Sequence, residues 1–170
     1  MLNIAFKEWA AVCEALANGR QTLILRKGGI HEEGGTFRPE HARFWLYPTH
    51  FHEQQQAGIK SEERALLQAS EADRAPFGFV RISHFVQVTD VQFCEELDDV
   101  LKLDAEHIWS DATVRQRFAY RTPGLYVFRV NVFRVEPVEI LERPDYAGCK
   151  TWVPLGIELP TGGARPVARL

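Results

Sequence analysis

Residues 19–53 read GRQTLILRKGGIHEEGGTFRPEHARFWLYPTHFHE, and this stretch decides the fold. Two runs in it, 22–26 and 43–47, are rich in β-branched and aromatic residues, and both are predicted as strands. Pro48 follows the second run and is expected to end its ladder, because proline has no N–H to donate. Between the runs lie Gly28-Gly29 and Gly34-Gly35, pairs that mark turns or close backbone approach. The stretch also holds four of the chain's six histidines, the cations Arg20, Arg26, Lys27, Arg38 and Arg43, and the carboxylates Glu32, Glu33, Glu40 and Glu53. Two core strands do not need that much polar chemistry, so the same stretch is the candidate site.

Outward from it, Phe6, Trp9, Cys13 and Leu16 fall at helical spacing. They predict an amphipathic helix over 4–17, with Asn3 as N-cap and Asn18-Gly19 as the stop. Residues 30–42 read as a polar loop. Residues 60–68 read as a short helix led by Ser61, Glu62 and Glu63. Residues 79–88 alternate, with Val80, Ile82, Val86 and Val88 on one face beside His84. Two further helices are expected at 94–103 and 111–119, and a long strand at 125–135. Pro137, Pro144, Pro154, Pro160 and Pro166 confine the rest to short extended pieces and loops. The sum is an α+β fold: a small, curved, mostly antiparallel sheet or partial barrel with flanking helices. Residues 1–170 are read as one domain, with 158–170 as a loose or edge C-terminal segment.

Hydrophobic residues make up 45% of the chain and charged ones 25%, enough apolar material for one real core. The net charge of −3 gives no bulk attraction for nucleic acid or an anionic membrane, so any nucleic-acid binding must come from a local basic patch. Cys13, Cys94 and Cys149 are scattered and odd in number. That argues for free thiols in a reducing cytoplasm, against a disulfide framework and against zinc held by sulfur. Lys7 and Glu8 interrupt any signal-peptide run, and no apolar segment approaches the ~20 residues that span a bilayer.

The sharpest local cluster is His50-Phe51-His52-Glu53. At strand spacing His50 and His52 point to one side, as in some metal sites, and His31, Glu33 or His41 could add a ligand. A divalent metal on His31, His50, His52 and Glu53 is therefore one alternative, although no cofactor is required. Beside it, Arg26 and Lys27 with the glycine pair form a patch suited to phosphate, with Trp45 and Tyr47 available to stack on a base. A second polar knot, GCKTW at 148–152, sets Cys149 beside Lys150; the ordinary reading of Cys149 is a small buried residue. His84 reads as a core histidine, and His107-Ile108-Trp109 as packing at a helix end. Dinucleotide and P-loop glycine motifs, the G-x-S-x-G elbow, H-E-x-x-H and a nuclease E-x-K pattern are all absent from the sequence.

The strings KEWAAVCEAL, GRQTLILRKGGI, FWLYPTHFH, HIWSD and GCKTWV resemble an uncharacterised bacterial family, a domain of unknown function. Some members of that family are joined to endonuclease domains of the Mrr restriction type. The resemblance implies a setting in restriction, modification or defence and an endonuclease partner; it assigns no catalytic residue. In addition, the helix leading into Gly19-x-Gln21-x-x-x-x-Arg26 resembles the opening of the activating-signal-cointegrator homology domains, which are PUA-like barrels. Their motif has lysine where this chain has Gln21 and glutamate where it has Ile24. What the resemblance implies is a cleft on a curved barrel that reads nucleic acid, rather than a ribonuclease-like activity.

Three functions follow from these readings: a nucleic-acid-binding accessory module, a small histidine- or metal-dependent hydrolase or nuclease, and a protein-interaction domain without chemistry. For the first, Arg26, Lys27, Tyr47, His52 and Lys150 are expected to border one cleft. That requires the strands at 22–26 and 43–47 to be parallel or offset neighbours, so that their ends meet at a barrel mouth, with Trp152 packed beneath Lys150.

Overall fold

Residues 2–9, LNIAFKEW, form a strand and not the first half of a helix. In this computed structural model residues 1–28, 30–33, 36–148 and 150–170 are described, with the backbone alone in 30–33, in 36–38 and at 52. The first strand, β1 (Leu2–Trp9), runs straight into α1 (Ala10–Ala17). The helical spacing of Phe6, Trp9, Cys13 and Leu16 thus counted across a junction. β1 is buried on both faces, with Ala5 in one core and Phe6 in the other, so it lacks the alternation of a half-buried strand. α1 has no side-chain cap of its own; the Ala11 N–H donates to Gln55 Oε1 at 3.0 Å instead.

Along the chain follow β2 (Leu23–Arg26), the small hairpin β3 (Ile30–Glu33) and β4 (Thr36–Pro39), and β5 (Arg43–Thr49). The hairpin replaces the loop expected at 30–42. Next come α2 (His52–Gly58), α3 (Arg64–Ala72), β6 (Phe79–Cys94), α4 (Leu97–Leu101), α5 (Asp111–Ala119), β7 (Leu125–Leu141), β8 (Trp152–Leu159) and β9 (Arg165–Pro166). Ser110 caps α5, its hydroxyl accepting from the Thr113 N–H.

Both long sequence-read strands and both short ones lie in one sheet, ordered β2-β7-β6-β5-β1-β8, with β9 on β7. Among the described residues only β1 and β5 pair in parallel; the other pairings are antiparallel. The fold is α+β, with a mostly antiparallel sheet. β5 leaves β6 after Trp45 but stays with β1 as far as Thr49, passing through Pro48 opposite Glu8. Pro48 therefore does not end the strand. The tail is an edge segment: β9 pairs with β7, and the Leu170 N–H donates to the Gly19 carbonyl at 3.1 Å.

Each face of the sheet carries a core. One gathers Phe6, Phe44, Leu46, Val86, Phe128 and α1; the other gathers Ala5, Trp45, Tyr47, Val80, Ile82 and Phe85. A register shift between Ile82 and His84 reverses the alternation of β6, so Phe85, not Val86, continues the face of Val80 and Ile82. The sheet also curls. Arg26, at the end of edge strand β2, donates through Nη2 to Thr151 Oγ1 at 2.5 Å, one residue before the opposite edge strand β8. Its guanidinium sits 4.6 Å from the Phe6 ring centroid of β1. The curl opens a cleft of about 700 Å³ at this end.

Candidate functional site

The cleft is built where the ends of β1, β2 and β5 meet the start of β6, the end of α3, one face of α5 and the loop before β8. Its volume falls within the usual range of ligand pockets. Six cations line it, Lys7, Arg26, Arg74, Arg81, Arg117 and Lys150, against the carboxylates Glu8, Glu14, Asp73 and Glu142. A chain of net charge −3 has therefore gathered a cationic cleft.

These cations are not equivalent. Arg81 is neutralised by Asp73 at 2.5 Å and Glu139 at 2.7 Å, and Arg74 lies 3.7 Å from Glu71. Lys7 Nζ donates to the Tyr146 and Gly148 carbonyls, and Lys150 Nζ to the Asp145 carbonyl. Arg26 and Arg117 differ from these: among the described residues neither has a carboxylate within ion-pair distance. Burial lowers the pKa of both, and Glu8 acts on both at longer range to raise it. Arginine stays charged regardless. Arg117 stacks over Trp109, its guanidinium carbon 3.8 Å from the ring centroid, and lies 5.5 Å from that of Trp9. Arg26 leaves its buried Nε without a partner among the described residues. Half-buried cations with no carboxylate at ion-pair distance favour an anionic ligand.

Arg26, Tyr47 and Lys150 do line one cleft. The reason differs from the expected one: β2 and β5 are not neighbours, since β7 and β6 lie between them, and curling of the whole sheet brings their ends together. Lys27 is not in the cleft lining. Its ammonium donates to the carbonyls of Phe118, Thr122 and Gly124, at 2.7, 2.5 and 2.8 Å, and ties β2 to the end of α5. Tyr47 is only 3% exposed, and its hydroxyl donates to Glu142 Oε1 at 3.1 Å. Burial and the Glu142 charge push its pKa up, so the phenol stays protonated. Trp45 is buried too, with its indole N–H on the Leu2 carbonyl, and neither ring has a face free to stack on a base. Trp152 packs on Phe6 and Phe44, each with centroids 5.0 Å away.

The strand spacing invoked for His50 and His52 does not exist, because β5 ends at Thr49 and His52 opens α2. His50 lines the cleft with Nδ1 3.1 Å from Glu71 Oε1. Glu53 is exposed and is not among the lining residues. The side chains of His31 and His52 lie outside the described residues, as does Cys149. Among the described residues no group of three His, Cys, Asp or Glu side chains is arranged to hold a metal, and no helix is long and apolar enough to cross a membrane.

Several cleft residues escaped the sequence reading. Arg117 belongs to a short helix with no motif around it. Gln21, at the lysine position of the cointegrator-type motif, is not in the cleft lining; it is buried, donating to the Leu23 carbonyl and accepting from the Ile108 N–H. Ser83 and His84 are consecutive in β6, yet the register shift lets both line the cleft. Ser83 Oγ lies 2.9 Å from His84 Nδ1, while His84 Nε2 is buried without a partner among the described residues. Burial and Arg134 push the His84 pKa down to about 4, so the ring is neutral at pH 7.

A family model described as Domain of unknown function (DUF1802) matches residues 5–169. No curated protein matches the sequence. Among solved structures, the ASCH protein of Zymomonas mobilis is similar at 14% identity and a TM-score of 0.46, over 75% of this chain and 65% of that one. The chain thus spans slightly less than two thirds of the length of that relative. A point mutant of the same protein is similar at 13% identity and a TM-score of 0.49, over 79% of this chain and 73% of that one.

Proposed function

Because the chain belongs to the DUF1802 family, a domain of unknown function, we propose a function from its own cleft: a nucleic-acid-binding accessory module of PUA-like design, with no reaction of its own. The observation that carries the reading is the pair of half-buried guanidiniums, Arg26 and Arg117, lining a 700 Å³ cleft with no carboxylate at ion-pair distance among the described residues. Guanidinium forks suit phosphate oxygens. Lys150, exposed and lining the same cleft, adds a further positive charge for a neighbouring phosphate. The restriction or defence setting, and an endonuclease partner within it, are supported only by the kinship of the strings quoted above with chains joined to Mrr-type domains.

The test is a fluorescence-anisotropy titration of labelled RNA and DNA oligonucleotides over a range of salt concentrations. Binding should weaken with salt, and the double variant Arg26→Gln/Lys150→Ala should bind less tightly with a log–log salt slope flatter by about one unit per lost phosphate contact. Unchanged affinity and slope in the folded double variant would overturn the reading.

One observation favours a second function, a histidine-dependent hydrolase. Neutral His84 sits within hydrogen-bond reach of the Ser83 hydroxyl and could take its proton as the oxygen attacks. Hydrolysis of a bound oligonucleotide that disappears in Ser83→Ala, with binding intact, would select it over the first.

A further inference from the structure

Phe51 and Phe79 both line the cleft, yet they are 55% and 44% exposed. Phe51 immediately precedes α2, and Phe79 is the first residue of β6. Two large apolar rings on one cleft are a costly way to face water, since each forgoes the burial that Phe ordinarily gains. The half-buried cations that line the same cleft, Arg26 and Arg117, call for anions. A ligand that satisfies both demands must present flat apolar faces and negative charges in regular alternation. A nucleic-acid strand does so, with one base and one phosphate per residue.

The rings also discriminate between forms of that ligand. In a duplex the base faces are stacked on one another and cannot reach a phenyl ring; in an unpaired strand they can. Duplex phosphates lie on the outside of a wide rod, whereas the two guanidiniums lie inside a cleft. Resting on the nucleic-acid reading above, we infer that the cleft takes unpaired nucleotides, with bases stacked on Phe51 and Phe79 and the intervening phosphates on Arg26 and Arg117. Phe77, fully exposed in the turn before β6, continues the apolar rim beyond the cleft. Stacking on phenyl rings is tolerant of base identity, so the selection is for strandedness more than for sequence.

The experiment compares three labelled probes of equal length: a single strand, its duplex, and a backbone without bases. The single strand should bind tightest. Phe51→Ala and Phe79→Ala should each weaken the single strand by roughly 5- to 150-fold while leaving the base-free probe and the salt slope unchanged. Phe51→Leu and Phe79→Leu, which keep apolar bulk but lose the ring, should behave like the alanine variants. Tyr120→Ala removes an exposed ring that is not among the cleft residues and should change nothing. Thermal melts establish that each variant is folded. Equal affinity for the base-free probe and the single strand, or full affinity of the leucine variants for the single strand, would overturn the stacking inference and leave the phosphate reading intact. Absence of salt-dependent binding to every probe would overturn both.

Discussion

The guanidinium of Arg117 lies 3.8 Å from the ring centroid of Trp109, which is fully buried. A cation in that position is held by the ring quadrupole and by packing of its stem, with Glu8 acting on it only at longer range. Arg117→Met keeps the stem and removes the charge. It should cost about 1–2 kcal/mol in a urea melt and weaken oligonucleotide binding. Arg117→Lys keeps the charge but not the planar stack, and should fall between the two. Full affinity in Arg117→Met would remove this residue from the cleft's function.

Lys27 gives the opposite pattern. Its ammonium satisfies three carbonyls at the end of α5 and in the turn after it. Lys27→Met should lower stability by about 1–3 kcal/mol, because three charge-assisted bonds are lost. The folded variant should bind oligonucleotides as the parent does. Weaker binding without a change in melting would return Lys27 to the site.

Acid should destabilise the fold through His107. This ring is 1% exposed, neither nitrogen has a partner among the described residues, and burial with Lys60 nearby pushes its pKa down to about 4. The folded state binds its proton more weakly than the unfolded state, where histidine titrates near 6.5. Stability is therefore fully present above that value and falls as pH drops toward 4, by roughly 2–3 kcal/mol for this residue. His84 adds a loss in the same window. Glu106, whose pKa is lowered by its hydrogen bond to Arg129, adds another as it protonates at lower pH. Urea midpoints measured between pH 7 and pH 4 should show a drop that shrinks in His107→Gln. An identical drop in the variant would assign the effect elsewhere.

The thiols offer a chemical check. Titration of the denatured, unreduced protein should find three free thiols. In the native protein Cys94 should react before Cys13. Cys13 is buried with its thiol on the Glu8 carbonyl, and burial pushes its pKa well up, whereas Cys94 is partly exposed. Fewer than three thiols in the denatured chain would reveal a disulfide.

What the sequence alone determined was the local half of this protein. Residues 43–47, 79–88 and 125–135 show as strands because alternation and β-branched or aromatic side chains report a pleated surface directly. The 111–119 helix shows because Val114 and Phe118 fall four residues apart and share its buried face. The free-standing chemistry of Arg26 and Lys150 was legible as residue type and neighbourhood. β1 was not legible, since a strand buried on both faces carries no period of two and its apolar residues ran on into α1. The phase reversal in β6 hangs on a register shift, which depends on its partner β7.

Only the tertiary structure decided which charges face the cleft and which hold the fold. Lys27 and Arg26 are adjacent in sequence, yet one clamps carbonyls at the end of α5 and the other reaches across the curled sheet to Thr151. Arg117, ninety-one residues from Arg26, joins it only because α5 packs where the sheet's edges approach. Successive side chains on a strand point to opposite faces, so neighbours in sequence are parted there. Sheet curl brings together residues from the two ends of the strand order, and no short string records that approach.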